Sequence, residues 1–205
     1  MSRRKVVNVR TFIDWDSARR ILSTNTKIGR NDLGLRSMME IQNFIAELLQ
    51  SLNGDTHYRV NYRIYHGWHR GTTKTDDYRE FERISAGSQL SRRLGVCSFS
   101  PEVVFGNVLL CGGRRSKLYN TLRRREDTQK DEQKMVDTAL VSDLLTSVRN
   151  DRGSVHIVIG DDDDLIPGVI TADSWGARVI LARVRREFDC AHLNVTDLIQ
   201  RRKSA

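Results

Sequence analysis

Val6, Val7, Val9, Phe12 and Ile13 crowd the start of the chain, and most are β-branched or aromatic. That pattern predicts a strand over residues 5–13. The polar group Asp14-Trp15-Asp16-Ser17 follows at its C-terminal end. Leu35, Met38, Ile41, Ile45, Leu48, Leu49 and Leu52 then recur at steps of three or four, which predicts a helix over 35–52. Asn53-Gly54 supplies its stop. Tyr58, Val60, Tyr62 and Ile64 alternate with polar residues and predict a second strand. Strand, helix, strand is the opening of a parallel α/β sheet.

The middle of the chain has a weaker rhythm. A helix is expected over 76–94 and a strand over 103–111, while the Arg-rich, polar stretch 112–131 reads as a loop or short helix. His66 and His69 read as members of a polar loop after a strand. The rhythm returns at 133–149, where Val136, Leu140, Leu144 and Val148 recur every fourth residue and predict a helix. An apolar strand is expected over 154–159, a helix over 166–175 stopped by Gly176, and a strand over 178–184. A last helix over 194–200 would precede the basic tail Arg201-Arg202-Lys203. The expected fold class is α/β, three layers (α/β/α) around a central, mostly parallel sheet.

Length and composition narrow this further. The 205 residues suit one domain, 1–205, with a possible insertion around 66–130. With 39% hydrophobic residues the chain can bury a core. Its longest apolar stretches fall far short of the roughly 20 residues that span a bilayer, so no membrane partner is expected. The basic start Met1-Ser2-Arg3-Arg4-Lys5 leads into an apolar run broken by Asn8 and Arg10, a poor secretory signal. Cys97, Cys111 and Cys190 are odd in number and widely spaced, which argues against a disulfide framework or a structural zinc site and fits a cytoplasmic protein.

Charge is where the chain is unusual. Its net charge is +8, carried by 27 Arg and only 7 Lys, with 18 Asp against 8 Glu. Within this basic chain stands Asp161-Asp162-Asp163-Asp164. Adjacent like charges repel by about 1 kcal/mol per pair even in high dielectric, so the run calls for a cation or a special backbone. It follows directly on a predicted strand, as Asp14 does, and Asp137 opens the helix before that strand. In open α/β sheets, sites form outside the carboxyl ends of strands. Carboxylates gathered there suit Mg²⁺ or Mn²⁺, hard cations that take oxygen ligands. Such ions can activate water against a phosphodiester. The plainer alternative makes each Asp a turn residue or helix cap.

Lys134-Met135-Val136-Asp137-Thr138-Ala139-Leu140-Val141-Ser142-Asp143 resembles the Lys-x-Val-Asp-x-x-Leu-x-x-Asp motif of NYN domains, which are PIN-like, metal-dependent nucleases. The stretch 156–167 is similar to that family's strand followed by Ser-Gly-Asp-Ser-Asp-Phe-x-Pro, and Phe12-Ile13-Asp14-Trp15-Asp16-Ser17 to its apolar-Ile-Asp-x-x-Asn opening. Gly176-Ala177-Arg178-Val179 is similar to its later Gly-x-x-Val strand, and residues 192–199 faintly to its ending. Ser17 in place of Asn, Gly160-Asp161 in place of Ser-Gly and Leu165 in place of Phe are departures. The resemblance implies a PIN-like fold and Mg²⁺- or Mn²⁺-dependent cleavage of RNA. Aligned on Leu165-Ile166-Pro167, it implies Asp14, Asp137, Asp162 and Asp164 as catalytic and metal-holding residues, with Asp161 next among the metal ligands. Asp143 lies six residues past Asp137, about 600° around a helix, and so faces elsewhere, as a supporting or helix-packing acid.

An acid site that cuts a polyanion needs positive charge around it, which the Arg excess provides. Arg114, Arg115, Lys117, Arg123, Arg124 and Lys134 are the candidate RNA contacts, against a solvated surface loop as the plainer reading. Trp15 reads as core rather than as a base-stacking ring. Two further functions stay open. Asp14-Trp15-Asp16-Ser17, Lys134 and Gly160-Asp161-x-x-Asp164 also resemble haloacid-dehalogenase-type phosphatases, with Asp14 as nucleophile. A non-catalytic RNA-binding domain of the same fold is the third reading. The copy number is open, a homo-oligomer included.

Overall fold

A computed structural model describes residues 5–22, 33–112, 116–185 and 199–201. The elements run β1 (Val6–Asp14), α1 (Trp15–Ala18), α2 (Leu33–Leu52), β2 (His57–Tyr65), β3 (His69–Arg70), β4 (Thr73–Lys74), α3 (Asp76–Ala86), β5 (Arg93–Leu94), β6 (Cys97–Phe99) and β7 (Val104–Phe105). They continue with β8 (Leu122–Arg124), β9 (Asp131–Gln133), α4 (Val136–Asn150), β10 (Val155–Ile159), α5 (Ile166–Ser174), β11 (Arg178–Arg183) and β12 (Ile199–Arg201).

The main sheet has the order β12-β11-β10-β1-β2-β6-β5, with β7 also pairing β2. Every pair in it is parallel except β5 with β6. The chain leaves β1, returns through α2 to β2 on one side, and much later enters β10 on the other side of β1. Order therefore reverses between β1 and β10, and that reversal opens a crevice outside their carboxyl ends. Ile13 stands opposite Ile159, so the two strands end side by side.

Strand alternation divides the core. Val7, Val9 and Ile13 of β1 and Val155, Ile157 and Ile159 of β10 share one apolar cluster with α2 and α3. Phe12, Val158, Val179 and Leu181 belong to a second cluster with α4 and α5. All five residues of β10 are buried, as expected of a parallel strand covered on both faces. The result is an α/β protein compatible with α/β/α layering. Among the described residues, no helix is long and apolar enough to cross a membrane.

A buried polar tie fastens α4 to the sheet. Asp143 is fully buried and accepts from Arg63 Nε at 2.8 Å, Tyr65 Oη at 2.8 Å and the Leu110 backbone N–H at 2.6 Å. Asp143 is thus the helix-packing acid, away from the crevice. His156 of β10 is buried beside Ser147, 3.2 Å away, and burial lowers its pKa to about 4.

Several expectations need correction. The helix expected over 76–94 stops at Ala86, where Gly87 caps it. The strand expected over 103–111 shrinks to Val104–Phe105. Residues 112–131 hold β8 and the start of β9, which pair in an antiparallel ribbon outside the main sheet. Residues 199–201 form a parallel edge strand on β11 rather than a helix end, and 194–198 lie outside the described residues. His66 and His69 are buried, and His69 belongs to β3 rather than to a loop. Of the stretch 66–130, β5, β6 and β7 join the main sheet, while the β3–β4 and β8–β9 pairs stand apart from it.

Candidate active site

Asp14 ends β1 and caps the short helix α1. Its Oδ1 accepts from Asp16 N at 3.2 Å, and its Oδ2 accepts from the Ser17 N–H at 3.3 Å and from the Ser17 hydroxyl. The side chain is buried, and burial raises its pKa despite the Ser17 bond. Ser17 does a second job: its Oγ accepts from Asp161 N at 3.0 Å and ties the end of β10 to the end of β1. Gly160 makes the approach possible. A Cβ there would meet Leu165 Cδ1 at 2.6 Å and Asp14 Cβ at 3.4 Å.

The four consecutive aspartates are not equivalent. Asp161 turns toward β11, where its Oδ1 accepts from Val184 N at 2.8 Å and Arg185 N at 3.2 Å. Asp163 pairs with the buried Arg183 at 2.7 Å, and Arg183 also donates to the Gly160 carbonyl. Asp162 caps the turn after it by accepting from Asp164 N at 2.9 Å. Asp161 and Asp163 are thus held by groups at and just past the end of β11; Asp162, Asp163 and Asp164 are all exposed, and of the four Asp161, Asp162 and Asp163 line the crevice.

Asp137 faces them from the first turn of α4. The turn into that helix runs through Met135 at φ 65°, a left-handed conformation, with no side-chain cap. The Asp137 pKa is pushed up to about 6, first by burial and then by the negative charges of Asp14, Asp162 and Asp164. Those causes place Asp14, Asp162 and Asp164 within electrostatic reach of Asp137. Asp14, Asp137 and Asp162 border a cleft of about 440 Å³ at the sheet edge together with Asp16, Arg20, Gln133, Asp161, Asp163 and Arg185, whereas Asp164 lies outside its lining.

The outer wall is a polar chain. The Gln133 amide donates to Asp16 and lies 3.0 Å from His66 Nδ1, and His66 Nε2 lies 2.7 Å from Asp77. His66 holds the Asp77 carboxyl below its usual range. Arg19 pairs with Asp16 at 2.6 Å. Arg20 and Arg185 are exposed cations on the rim. The sequence reading named neither these cations nor Gln133. Gln133 reaches Asp16 across 117 positions, and no local pattern marks such a contact.

The remaining candidates are dispersed. Lys134 pairs with Glu132 at 2.8 Å, Arg123 Nε donates to the Asn120 carbonyl and Arg124 Nε to the Gln129 carbonyl. Lys117 lies over the Tyr119 ring. Arg114 and Arg115 lie outside the described residues. Trp15 is buried edge-on to Phe81 and belongs to the core.

Among the described residues, no three His, Cys, Asp or Glu side chains stand already grouped as a metal-holding set. Compared with protein-family models, curated proteins and solved structures, the chain finds no match in any of the three.

Proposed function

We propose that this protein is a PIN-like, metal-dependent nuclease of the NYN type that cleaves RNA phosphodiesters at the acid cleft. The supporting observation is that Asp14, Asp137 and Asp162 border one cleft, where the Asp137 pKa is pushed up to about 6 first by burial and then by the charges of Asp14, Asp162 and Asp164. Such crowding destabilises an empty site and is relieved by a divalent cation, and an all-oxygen donor set suits Mg²⁺ or Mn²⁺. When bound, the ion supplies Lewis acidity and neutralises charge gathering on the phosphate. Asp14 is held in place by Ser17 and the α1 backbone, so it offers the cation a pre-oriented carboxylate. Asp137 offers a second from the opposite wall. Asp162 and Asp164 complete the set, while Asp161 and Asp163 fix the backbone that carries them. Arg20 and Arg185 give the strand's phosphates a cationic rim against the acid floor.

The phosphatase reading has less behind it, because Lys134 spends its ammonium on Glu132. The test incubates labelled single-stranded RNA, structured RNA and DNA with the protein, with and without Mn²⁺. Metal-dependent cleavage of RNA, lost in Asp14→Asn and Asp162→Asn, is expected. Hydrolysis of p-nitrophenyl phosphate with no strand cleavage would transfer the assignment to the phosphatase class. RNA binding without cleavage in either metal would leave a binding domain.

A further inference from the structure

The loop that leads into the β8–β9 ribbon carries an exposed aromatic ring. Tyr119 is 44% exposed, yet its surroundings hold it. The His69 ring stands 5.6 Å away at 73°, and the Lys117 ammonium lies 5.0 Å from the ring centroid. The next residue, Asn120, is locked by reciprocal bonds with Gly71: its N–H donates to the Gly71 carbonyl at 2.8 Å, and Gly71 N–H donates to its Oδ1 at 3.1 Å. The exposed Arg123 donates through Nε to the Asn120 carbonyl at 3.2 Å, one residue along the chain from the ring.

The same ribbon is fixed to the acid cleft. Leu122 pairs with Gln133, whose amide donates to Asp16. Gly67 makes room for that contact, since a Cβ there would meet Leu122 Cδ1 at 2.9 Å and Leu122 Cβ at 3.1 Å. Tyr119 and Leu122 are three positions apart, a span of at most about 11 Å. The loop that carries the ring thus runs into the ribbon that reaches the cleft through Gln133.

A rigid exposed aromatic ring flanked by cations suits the stacking of an unpaired base, with the cations taking adjacent phosphates. A duplex keeps its bases stacked inside and offers such a ring nothing. We propose that Tyr119, with Lys117 and Arg123, binds single-stranded nucleic acid by stacking one base. The delivery of that strand for cleavage rests on the nuclease reading, whereas the binding itself does not.

The test is fluorescence anisotropy in EDTA with labelled single-stranded RNA, the same sequence as DNA, and a duplex. Wild type, Tyr119→Ala and Tyr119→Trp are compared, with melting temperatures checking that each is folded. Tyr119→Ala is expected to weaken single-strand binding about ten-fold or more. Tyr119→Trp should restore it, and duplex binding should not change. Equal single-strand affinity in wild type and Tyr119→Ala, no binding by wild type, or equal losses for duplex and single strand would overturn the proposal. Cleavage measured on the same proteins separates the two claims. Wild-type cleavage with unaltered Tyr119→Ala binding removes the stacking site and leaves the nuclease. Loss of binding in Tyr119→Ala with no cleavage by any variant supports the stacking site and removes the nuclease.

Discussion

Replacing Asp137 by Asn removes one of four carboxylates crowded at one sheet edge. Its pKa in the fold is about 6 against an ordinary 3.8, so the folded protein holds this proton at pH values where the unfolded chain has lost it. The sign follows from linkage. Stability falls as pH rises from about 4 to about 6, and the penalty is fully present above that window. At 1.36 kcal/mol per pH unit the gap corresponds to about 3 kcal/mol. Asp137 is half-exposed and water screens its neighbours, so about 1 to 2 kcal/mol is the realistic penalty. In EDTA at pH 8, Asp137→Asn should therefore be more stable than wild type by that amount, about 3 to 6 °C in Tm for a chain of this size. The difference should vanish by about pH 4. Mn²⁺ should raise the wild-type Tm and raise that of the variant much less, since binding to the folded state stabilises it by mass action. Thermal melts across pH, read as the difference between the two proteins, measure this directly. Superimposable wild-type and variant curves from pH 8 to pH 4 would refute the crowding argument.

Three other outcomes follow from the same geometry. His156 is buried and neutral, with a pKa of about 4, so folding stability should drop by about 2 kcal/mol as pH falls from 6.5 toward 4, and His156→Gln should flatten that acid limb in urea titrations. Asp143→Ala strands the Arg63 guanidinium and the Tyr65 hydroxyl in the core, and urea unfolding should show a loss of about 3 to 5 kcal/mol. Asp161→Asn should lower Tm while leaving most of the cleavage rate, because its carboxylate serves Val184 and Arg185. Asp162→Asn should do the reverse.

The frame of the sheet is legible because its elements are long and their periods strong. Strand β1, helix α2, strand β2, helix α4, strand β10, helix α5 and strand β11 all follow apolar spacings of two or of three to four residues. The stretch from His66 to Gln133 is not legible in this way. Strands such as His69–Arg70 and Val104–Phe105 hold two residues each, too few to show a period. Their places depend on partners far along the chain. The acids show the same division. That Asp14, Asp137 and the aspartate run share one edge follows from their positions beside strand and helix ends. Which of the four consecutive aspartates face the cleft does not, because their sequence surroundings are nearly identical. Arg183 takes Asp163 and the Val184 and Arg185 amides take Asp161, contacts across 20 or more positions that no local pattern marks. Gln133 joins the cleft wall through contacts with Asp16 across 117 positions and with His66 across 67.

The central claim, that the carboxylate cluster carries metal-dependent RNA cleavage, is tested most directly by one titration. The rate of cleavage of a labelled single-stranded RNA is measured against Mn²⁺ concentration for wild type and Asp162→Asn. The account predicts no wild-type cleavage in EDTA, a saturable rise with Mn²⁺, and a rate at least ten-fold lower in the folded variant. Cleavage that persists in EDTA, or equal curves for the two proteins, would contradict it.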